Sequence, residues 1–272
     1  MHPQSMFSML YMPGKNLAIL NIEVPLRPSI RDIVSVLEEL DKHGVALLRS
    51  LYHEEYVQGV KRAYICVVCD LTSSKSSIDE LASTIRRMPS VKSVEVVKPG
   101  PPGFIVDENH YPLVVVDERA LIFRKEMMNV MLLGIRQKWG ATGQVFLYYL
   151  GYEGGVGAAK FYKRVSDLPP SEAVKAALKV AAAHGLGRFE LVTLDLEKPH
   201  IVVRAYELFE CMPVKGKRDE PFSEFYRGLL SGTFSELLGI KLRAEETACI
   251  AKGDPYCEFV LTREKEEETS ES

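Results

Sequence analysis

Apolar and polar positions alternate with two different periods along the first hundred residues, and the two periods predict different elements. Apolar, β-branched runs of strand length occur at residues 16–24, 45–52, 62–71 and 91–97. Between them, apolar side chains recur at helical spacing over residues 30–40 and 78–85. Each helical stretch follows a serine that can cap its first turn, Ser29 or Ser77. The pattern therefore predicts the order strand–helix–strand–strand–helix–strand.

This order is that of a ferredoxin-like βαββαβ unit. We expect a turn at Gln58–Gly59 to join the second strand to the third. Over residues 16–98 the pattern resembles an ACT domain, a regulatory module that commonly binds amino acids at a dimer interface. Its usual glycine-containing turn after the first strand is replaced here by residues 25–29, which contain no glycine. Amino-acid binding and simple dimerisation therefore remain alternative roles for an ACT-like domain at residues 1–98.

A proline- and glycine-rich segment separates this pattern from the rest of the chain. Residues 99–103 read Pro-Gly-Pro-Pro-Gly, a composition that resists helix formation and stiffens a connection. We interpret residues 99–110 as a linker and residues 111–263 as a second domain. Residues 264–272 are acidic and polar, and we expect this tail to be disordered.

The second domain combines helical and extended patterns, which predicts a mixed α/β fold. Helical spacing occurs at residues 120–139, 172–184 and 222–238. Extended patterns occur at residues 112–116, 189–196, 200–208, 240–250 and 256–261, the last two forming a hairpin. The glycines between Gly151 and Gly157 lack the Lys-Ser/Thr of a phosphate-binding loop. We therefore interpret them as sites of close helix packing and tight turns.

Three features of this domain occur together in a known family. They are a glycine-rich element at residues 134–155, a helix with Gly228 and Gly232 four residues apart, and the hairpin motifs Glu246-x-x-Cys249, Gly253-Asp254-Pro255 and Cys257-x-Phe259. In order and spacing these features resemble 4-vinyl reductase-type domains.

The resemblance implies a mixed α/β fold shared with small subunits of TRAPP vesicle-tethering complexes. Domains of this type are usually dimeric, and they enclose a small hydrophobic compound between helices and sheet. Related domains are the ligand-sensing part of aromatic-responsive bacterial activators, whereas a catalytic role is weakly supported in the family. We therefore expect a sensor that has no catalytic residue.

The resemblance also implies a zinc site. In the aromatic sensors, three cysteines and a glutamate hold the ion, and Cys249, Cys257 and Glu246 match three of these positions. The fourth position is Ser223, a poor zinc ligand, so Cys211 is the candidate to replace it.

Spacing in the last hairpin bears on the same site. Cys249 and Cys257 are equidistant from Gly253, so an unbulged hairpin places them opposite each other. Bound zinc, free thiols and a disulfide all remain open for this pair. Since Glu246 and Cys249 are three residues apart, a regular strand would point them to opposite faces. Zinc binding therefore requires a bulge near Thr247.

A set of aromatic residues and glycines is the candidate lining of a ligand pocket. It comprises Trp139, Phe146, Tyr149, Phe225, Tyr226, Gly228 and Gly232. The aromatic members are equally compatible with an ordinary hydrophobic core.

Composition excludes several other classes of function. A net charge of −3 without a clustered basic surface argues against direct nucleic-acid binding. No apolar run reaches the length of about 18 residues that a membrane span needs. The chain has no nucleotide-binding fingerprint, so we expect no nucleotide cofactor. Its 5 cysteines favour a cytoplasmic protein over a secreted disulfide scaffold, and Cys66 and Cys69 lie mid-strand, where we expect buried thiols.

These observations together predict an intracellular, ligand-sensing regulatory protein. It would bind a small hydrophobic or aromatic molecule in its second domain, form a homodimer and act on a protein partner. The alternative is a TRAPP-like interaction scaffold that binds no ligand. A reductase that borrows its cofactor is a third hypothesis.

Overall fold

The computed structural model describes residues 9–57, 60–108 and 113–264. The chain divides into two compact units, Met1–Leu121 and Ile122–Ser272. The predicted turn at Gln58–Gly59 lies outside the described residues, as does the acidic tail beyond Glu264.

The first unit is built from short helices and antiparallel strands. Its elements are β1 (Met9–Tyr11), β2 (Leu17–Val24), α1 (Ile30–Lys42), β3 (Ala46–Val57), β4 (Val60–Asp70), α2 (Ile78–Arg86), β5 (Ser93–Val97), β6 (Phe104–Val106), β7 (Val114–Val115) and β8 (Glu118–Arg119). From β2 to β5 the elements follow the order predicted from the sequence. These four strands form one sheet in the order β3-β4-β2-β5, and every neighbouring pair is antiparallel.

Both helices of this unit begin with the caps that the sequence predicts. The Ser77 hydroxyl accepts from the Glu80 N–H, and the Glu80 carboxylate accepts from the Ser77 N–H at 2.8 Å. Ser29 and Asp32 make the same reciprocal pair at the start of α1. Because each pair satisfies donors that a helix leaves open, it fixes where the helix starts.

Part of the expected linker is structured. β6 lies within residues 99–110 and pairs with β1 in an antiparallel two-stranded sheet. Gly103 has φ of 74°, and its carbonyl accepts from the Met12 N–H at 2.7 Å. The proline-rich residues therefore turn the chain back onto its own unit, and the compact division of the chain falls between residues 121 and 122.

Within its described residues, the second unit contains a four-stranded antiparallel sheet and three helices. Its elements are α3 (Lys125–Val165), α4 (Pro170–Ala183), β9 (Arg188–Asp195), β10 (His200–Tyr206), α5 (Glu224–Leu238), β11 (Leu242–Ala248) and β12 (Cys257–Arg263), with 3-10 turns at Met212–Val214 and Ile250–Lys252. The sheet order is β11-β12-β10-β9. Within the parts of the chain that the structure describes, no helix has the length and apolar character needed to cross a membrane.

Glycines allow α3 and α5 to pack with their backbones in contact. A Cβ atom at Gly151 or Gly155 would overlap the carbonyl oxygen of Phe225 or Leu229 in α5. In return, a Cβ at Gly228 would overlap the carbonyl oxygen of Tyr148 in α3. Residues 151–157 are thus helical, which the sequence did not predict, and the tight turns expected there are wrong, whereas the expected close helix packing is confirmed at Gly151 and Gly155.

The helix α3 is interrupted at Gly140. This residue has φ of 52° and ψ of −130°, so residues 125–139 and 141–165 form two helical segments joined by a kink. A residue with a side chain rarely adopts this backbone conformation. The kink therefore depends on glycine at position 140.

Replacing Gly140 by alanine should lower the free energy of unfolding by about 1–3 kcal/mol, the usual range for a strained backbone. A Cβ at this position would meet nothing within 4 Å, so the loss would come from the backbone alone. Gly157→Ala is the matched control, since Gly157 is also open but helical, and it should be neutral or stabilising. Denaturant unfolding followed by circular dichroism measures both variants. Equal effects would contradict this account of the kink.

Candidate metal centre and ligand cavity

A buried cluster of sulfur and oxygen atoms lies where the last hairpin meets the start of α5. It consists of Cys211, Glu246, Cys249 and Cys257, and one ligand atom from each lies within 4.8 Å of all the others. We call these four residues the cysteine cluster. Its three cysteines have no exposed surface. The structure therefore brings together all four residues that the sequence named as metal ligands.

A β-bulge places Glu246 and Cys249 on the same side. The register of β11 against β12 shifts between Glu246 and Ala248, so Thr247 is the extra residue. The bulge that the spacing required is confirmed. Beyond it, the Cys249 N–H donates to the Asp254 carboxylate at 2.8 Å, which fixes the turn before Cys257.

Ser223 lies against the cluster and hydrogen-bonds to Glu246, but it is not one of the four clustered residues. Its hydroxyl donates to Glu246 Oε1 at 2.7 Å, and its N–H donates to Oε2 of the same carboxylate at 3.2 Å. The hydroxyl oxygen also lies 3.0 Å from Cys211 Sγ, and Cys211 Sγ lies 3.6 Å from Cys249 Sγ. Cys211 thus supplies the third sulfur of the cluster, while Ser223 orients the carboxylate.

The thiols of the cluster shift one another's pKa values. Hydrogen bonds from the thiols of Cys211 and Cys257 lower the pKa of Cys249, whereas the pKa values of Cys211 and Cys257 are raised. Burial, followed by the nearby Cys249, raises the pKa of Glu246 to about 8. A divalent cation would relieve this arrangement, because it favours the ionised form of all four groups.

The donor set and its dimensions fit a zinc ion. In a tetrahedral site with Zn–S bonds of about 2.3 Å, neighbouring sulfurs are about 3.8 Å apart. The 3.6 Å between Cys211 Sγ and Cys249 Sγ is close to that separation. All 5 cysteines are free thiols, so the disulfide considered for Cys249 and Cys257 is not formed.

A buried ion network adjoins the cluster, and the sequence did not predict it. Arg136 of α3 donates through Nε to Glu224 Oε2 at 3.0 Å. Its Nη2 donates to Glu210, to Glu224 at 2.5 Å and to the Phe222 carbonyl at 3.1 Å. We call Arg136, Glu210 and Glu224 the arginine network. Glu210 directly precedes Cys211 of the cluster, and Glu224 directly follows Ser223, which hydrogen-bonds to Glu246 of the cluster, so the network and the cluster are linked through two chain segments.

Burial and charge oppose each other in this network. Burial raises the pKa of Glu210 to about 7, although Arg136 acts to lower it. For Arg136, burial alone would lower the pKa, but Glu210 and Glu224 raise it on balance. Glu210 is also held by two N–H groups of the first turn of α5, those of Phe225 at 3.1 Å and Tyr226 at 2.8 Å. Two features of the sequence could have indicated this network: Glu210 and Glu224 lie next to the candidate ligand positions 211 and 223, and Arg136 lies in an otherwise apolar helix.

A cavity of about 170 Å³ lies among α3, α4 and α5. Most of its lining is apolar, and it includes Ala158, Tyr162, Ala177, Leu178, Tyr226, Leu230 and Phe234. Four of the lining residues carry polar side-chain groups, namely Tyr162, His184, Tyr226 and Thr233. Burial raises the pKa of both tyrosines, so their hydroxyls stay protonated at neutral pH and can donate a hydrogen bond.

The predicted pocket residues are divided between the cavity, the helix contact and the surface. Tyr226 lines the cavity. Gly228 and Gly232 form the contact between α5 and α3, and Phe225 packs against the core beside them. Trp139, Phe146 and Tyr149 are 52%, 51% and 61% exposed, so they line the surface of α3 instead of the cavity. The helical pattern alone could not show which face of α3 turns inward.

Cys66 and Cys69 belong to the two opposite faces of the first unit's sheet. Cys66 packs with Ile19 and Ile105 on one face, and Cys69 packs in the core that lies beneath the helices. Burial raises the pKa of each thiol to about 12. Their interpretation as buried thiols is confirmed.

Residues 201–263 match the 4-vinyl reductase domain family, which confirms the predicted domain type over this part of the chain. No curated protein matches the sequence. The match takes in β10, α5 and the last hairpin, and with them all four residues of the cysteine cluster.

Several solved structures are similar to this chain. The phenol-responsive sensory domain of the transcription activator PoxR with phenol is 17% identical, covering 54% of this chain and 77% of that chain, with a TM-score of 0.49. A vinyl-4-reductase family protein from Methanocaldococcus jannaschii is 18% identical, covering 54% and 85%, with a TM-score of 0.41. A trafficking protein particle complex subunit 3 from Naegleria fowleri, covalently bound to palmitic acid, is 16% identical, covering 52% and 95%, with a TM-score of 0.41.

Proposed function

We propose that the second unit is the ligand-sensing part of a regulatory protein and that it binds a small aromatic molecule in the cavity among α3, α4 and α5. The cavity carries this proposal, because it is largely apolar and has a few polar atoms on its walls. Ligand sites of small size have this character, since apolar walls provide affinity and the polar groups fix orientation.

The size of the cavity suits a ligand with a single aromatic ring. An apolar cavity of about 150 Å³ engineered into another protein stays dry and binds benzene. The cavity here is of similar size, at about 170 Å³. Tyr162 and Tyr226 can each donate a hydrogen bond, which favours a ring with one small polar substituent. Phenol is therefore the probe of choice, with benzene as its apolar counterpart.

A thermal-shift series tests the proposal on the whole chain. Benzene and phenol at about 100 times their Kd should stabilise the second unit by about 2.7 kcal/mol. That corresponds to a rise in Tm of about 5–11 °C for a domain of this size. Biphenyl should produce a smaller shift, because a volume of about 170 Å³ cannot enclose both of its rings. If neither benzene nor phenol raises the Tm, the cavity does not bind small aromatic molecules and the proposal is wrong.

We propose further that zinc occupies the cysteine cluster. Cys211, Cys249 and Cys257 would supply three thiolates and Glu246 a carboxylate, a set that suits tetrahedral zinc better than the harder cations. The ion would hold the last hairpin against the segment before α5. This role is structural, because all four ligands come from the chain.

The exposed face of α3 supports a homodimer. Apolar side chains that are at least 45% exposed follow both of its segments, and they include Met127, Val130, Met131, Trp139, Val145, Phe146, Tyr149 and Leu150. An apolar surface of this extent usually marks a contact with another protein. We propose that two copies of the chain pair through it. The same surface favours an interaction scaffold as the second candidate function.

For the first unit we propose the ACT-like role expected from the sequence, either dimerisation or binding of an amino acid. Its strand order and antiparallel pairings are compatible with a ferredoxin-like unit. The free thiols support a cytoplasmic location, because a reducing compartment keeps cysteines in that form.

A further inference from the structure

We propose that the first turn of α5 couples the cavity to the cysteine cluster, that this coupling depends on Arg136, which holds the turn against the segment carrying Cys211, and that Arg136 also transmits it to the segment of α3 before Gly140. The proposal rests on the ligand-binding function proposed above. It makes Arg136 a positioning residue, which contacts neither the ligand nor the metal.

Ser223 connects the start of α5 to the cysteine cluster. This residue directly precedes the helix, and it holds both oxygens of Glu246, at 2.7 Å through its hydroxyl and 3.2 Å through its N–H. A change in the position of Glu246 on metal binding therefore acts directly on the start of α5.

On the side of the cavity, the same turn contains Tyr226. Its ring lines the cavity and stacks on Phe189, with centroids 5.3 Å apart and an interplanar angle of 8°. Its N–H donates to Glu210, the residue before Cys211. A ligand that displaces the Tyr226 ring therefore pulls on the segment that carries a cluster ligand.

Arg136 joins these two segments to a third element. Its guanidinium bridges Glu210 and Glu224 and also reaches the Phe222 carbonyl, and its side chain is only 7% exposed. A buried charge that loses its partners is strongly unfavourable, so Arg136 must follow its carboxylates when they move. Gly140 breaks the helix four residues later, which allows residues 125–139 to tilt while residues 141–165 stay packed on α5.

The test is a measurement of thermodynamic linkage on the full chain. Zinc affinity is measured by competition with a chromophoric chelator, without phenol and with saturating phenol. Coupling between two sites typically changes affinity by about 5–150-fold, and the two ligands must affect each other by the same factor. We expect a factor of at least about 5 in the wild type, and the phenol affinity should change equally when zinc is added.

Two variants separate Arg136 from the rest of the structure. Arg136→Lys keeps the positive charge but lacks the planar fork that bridges two carboxylates, so the coupling factor should fall below about 2 while both ligands still bind. Lys163→Met is the matched control. It removes an exposed ion pair between α3 and α5, Lys163 to Glu236 at 3.0 Å, and should retain the wild-type coupling. Arg136→Met should behave like Arg136→Lys if it folds.

Failure of this proposal is distinguishable from failure of the proposed function. If zinc and phenol both bind the wild type but neither changes the affinity of the other, the coupling is absent although the sensor function stands. Wild-type coupling in Arg136→Lys would also overturn it. If phenol and benzene do not bind at all, the ligand function fails. The transmission from the cysteine cluster to α3 is then tested by hydrogen exchange of residues 125–139. Zinc should slow this exchange in the wild type but not in Arg136→Lys. Equal slowing in both proteins would overturn the role of Arg136.

Discussion

Gly228→Ala is expected to lower the free energy of unfolding of the second unit by about 3 kcal/mol or more. The added methyl group would overlap the carbonyl oxygen of Tyr148, a backbone atom that no side-chain rotation can move. Overpacking in a core costs about 1–3 kcal/mol even when side chains can adjust. Here the two helices must separate along their whole contact, so the effect lies at or above the upper limit of that range.

Gly154→Ala provides the matched control for this prediction. Gly154 lies on the same helix pair, but a Cβ there would be 3.6 Å from Leu229 Cδ1, which is an ordinary contact. This variant should be neutral or slightly stabilising, because alanine favours a helix over glycine. Denaturant unfolding measures the free energy of unfolding of both variants. Similar losses of stability would contradict the proposed backbone contact between α3 and α5.

Cys249→Ser is expected to empty the metal centre. Removing a partner outside the ligand set commonly reduces metal affinity about 10–100-fold, so the loss of a direct ligand should reduce zinc affinity by more than about 100-fold. Protein purified without a histidine tag should contain about one zinc per chain in the wild type and almost none in the variant. Elemental analysis of the two samples measures this difference.

Two further variants assign the fourth ligand. Cys211→Ser should lose zinc as Cys249→Ser does, because Cys211 supplies the sulfur that Ser223 lacks. Cys69→Ser is the control, since this buried cysteine belongs to the first unit and lies outside the cluster. Zinc retained in Cys211→Ser would mean that Ser223 or another group completes the site. Absence of zinc from the wild type would contradict the metal assignment.

Local rules accounted for much of the fold. Capping serines, strand alternation and hairpin spacing are short-range signals, so the starts of α1 and α2 and the bulge at Thr247 could be predicted. The continuation of α3 through its glycine-rich stretch could not be predicted, because glycine on its own destabilises a helix. Those glycines are favoured only by their contact with α5, which is distant in sequence.

The candidate site also contains residues that short-range motifs predict and residues that they do not. Cys249, Cys257 and Glu246 follow from one hairpin motif, and Cys211 follows from the departure at Ser223. The arginine network has no sequence motif, because its members come from residues 136, 210 and 224 and meet only in the folded unit. For the same reason, Trp139, Phe146 and Tyr149 could not be separated from Tyr226 by spacing alone.

Calorimetric titration of phenol tests the central proposal most directly, with the wild type compared to two variants of α4. Ala177 lines the cavity, so Ala177→Phe should fill it, whereas Ala183 lies at the end of the same helix and outside the lining, so Ala183→Phe should leave it open. We expect one phenol site per chain in the wild type and in Ala183→Phe, and an affinity at least about tenfold lower in Ala177→Phe, a loss of about 1.4 kcal/mol. Equal binding to all three proteins, or no binding to the wild type, would contradict a ligand site in this cavity.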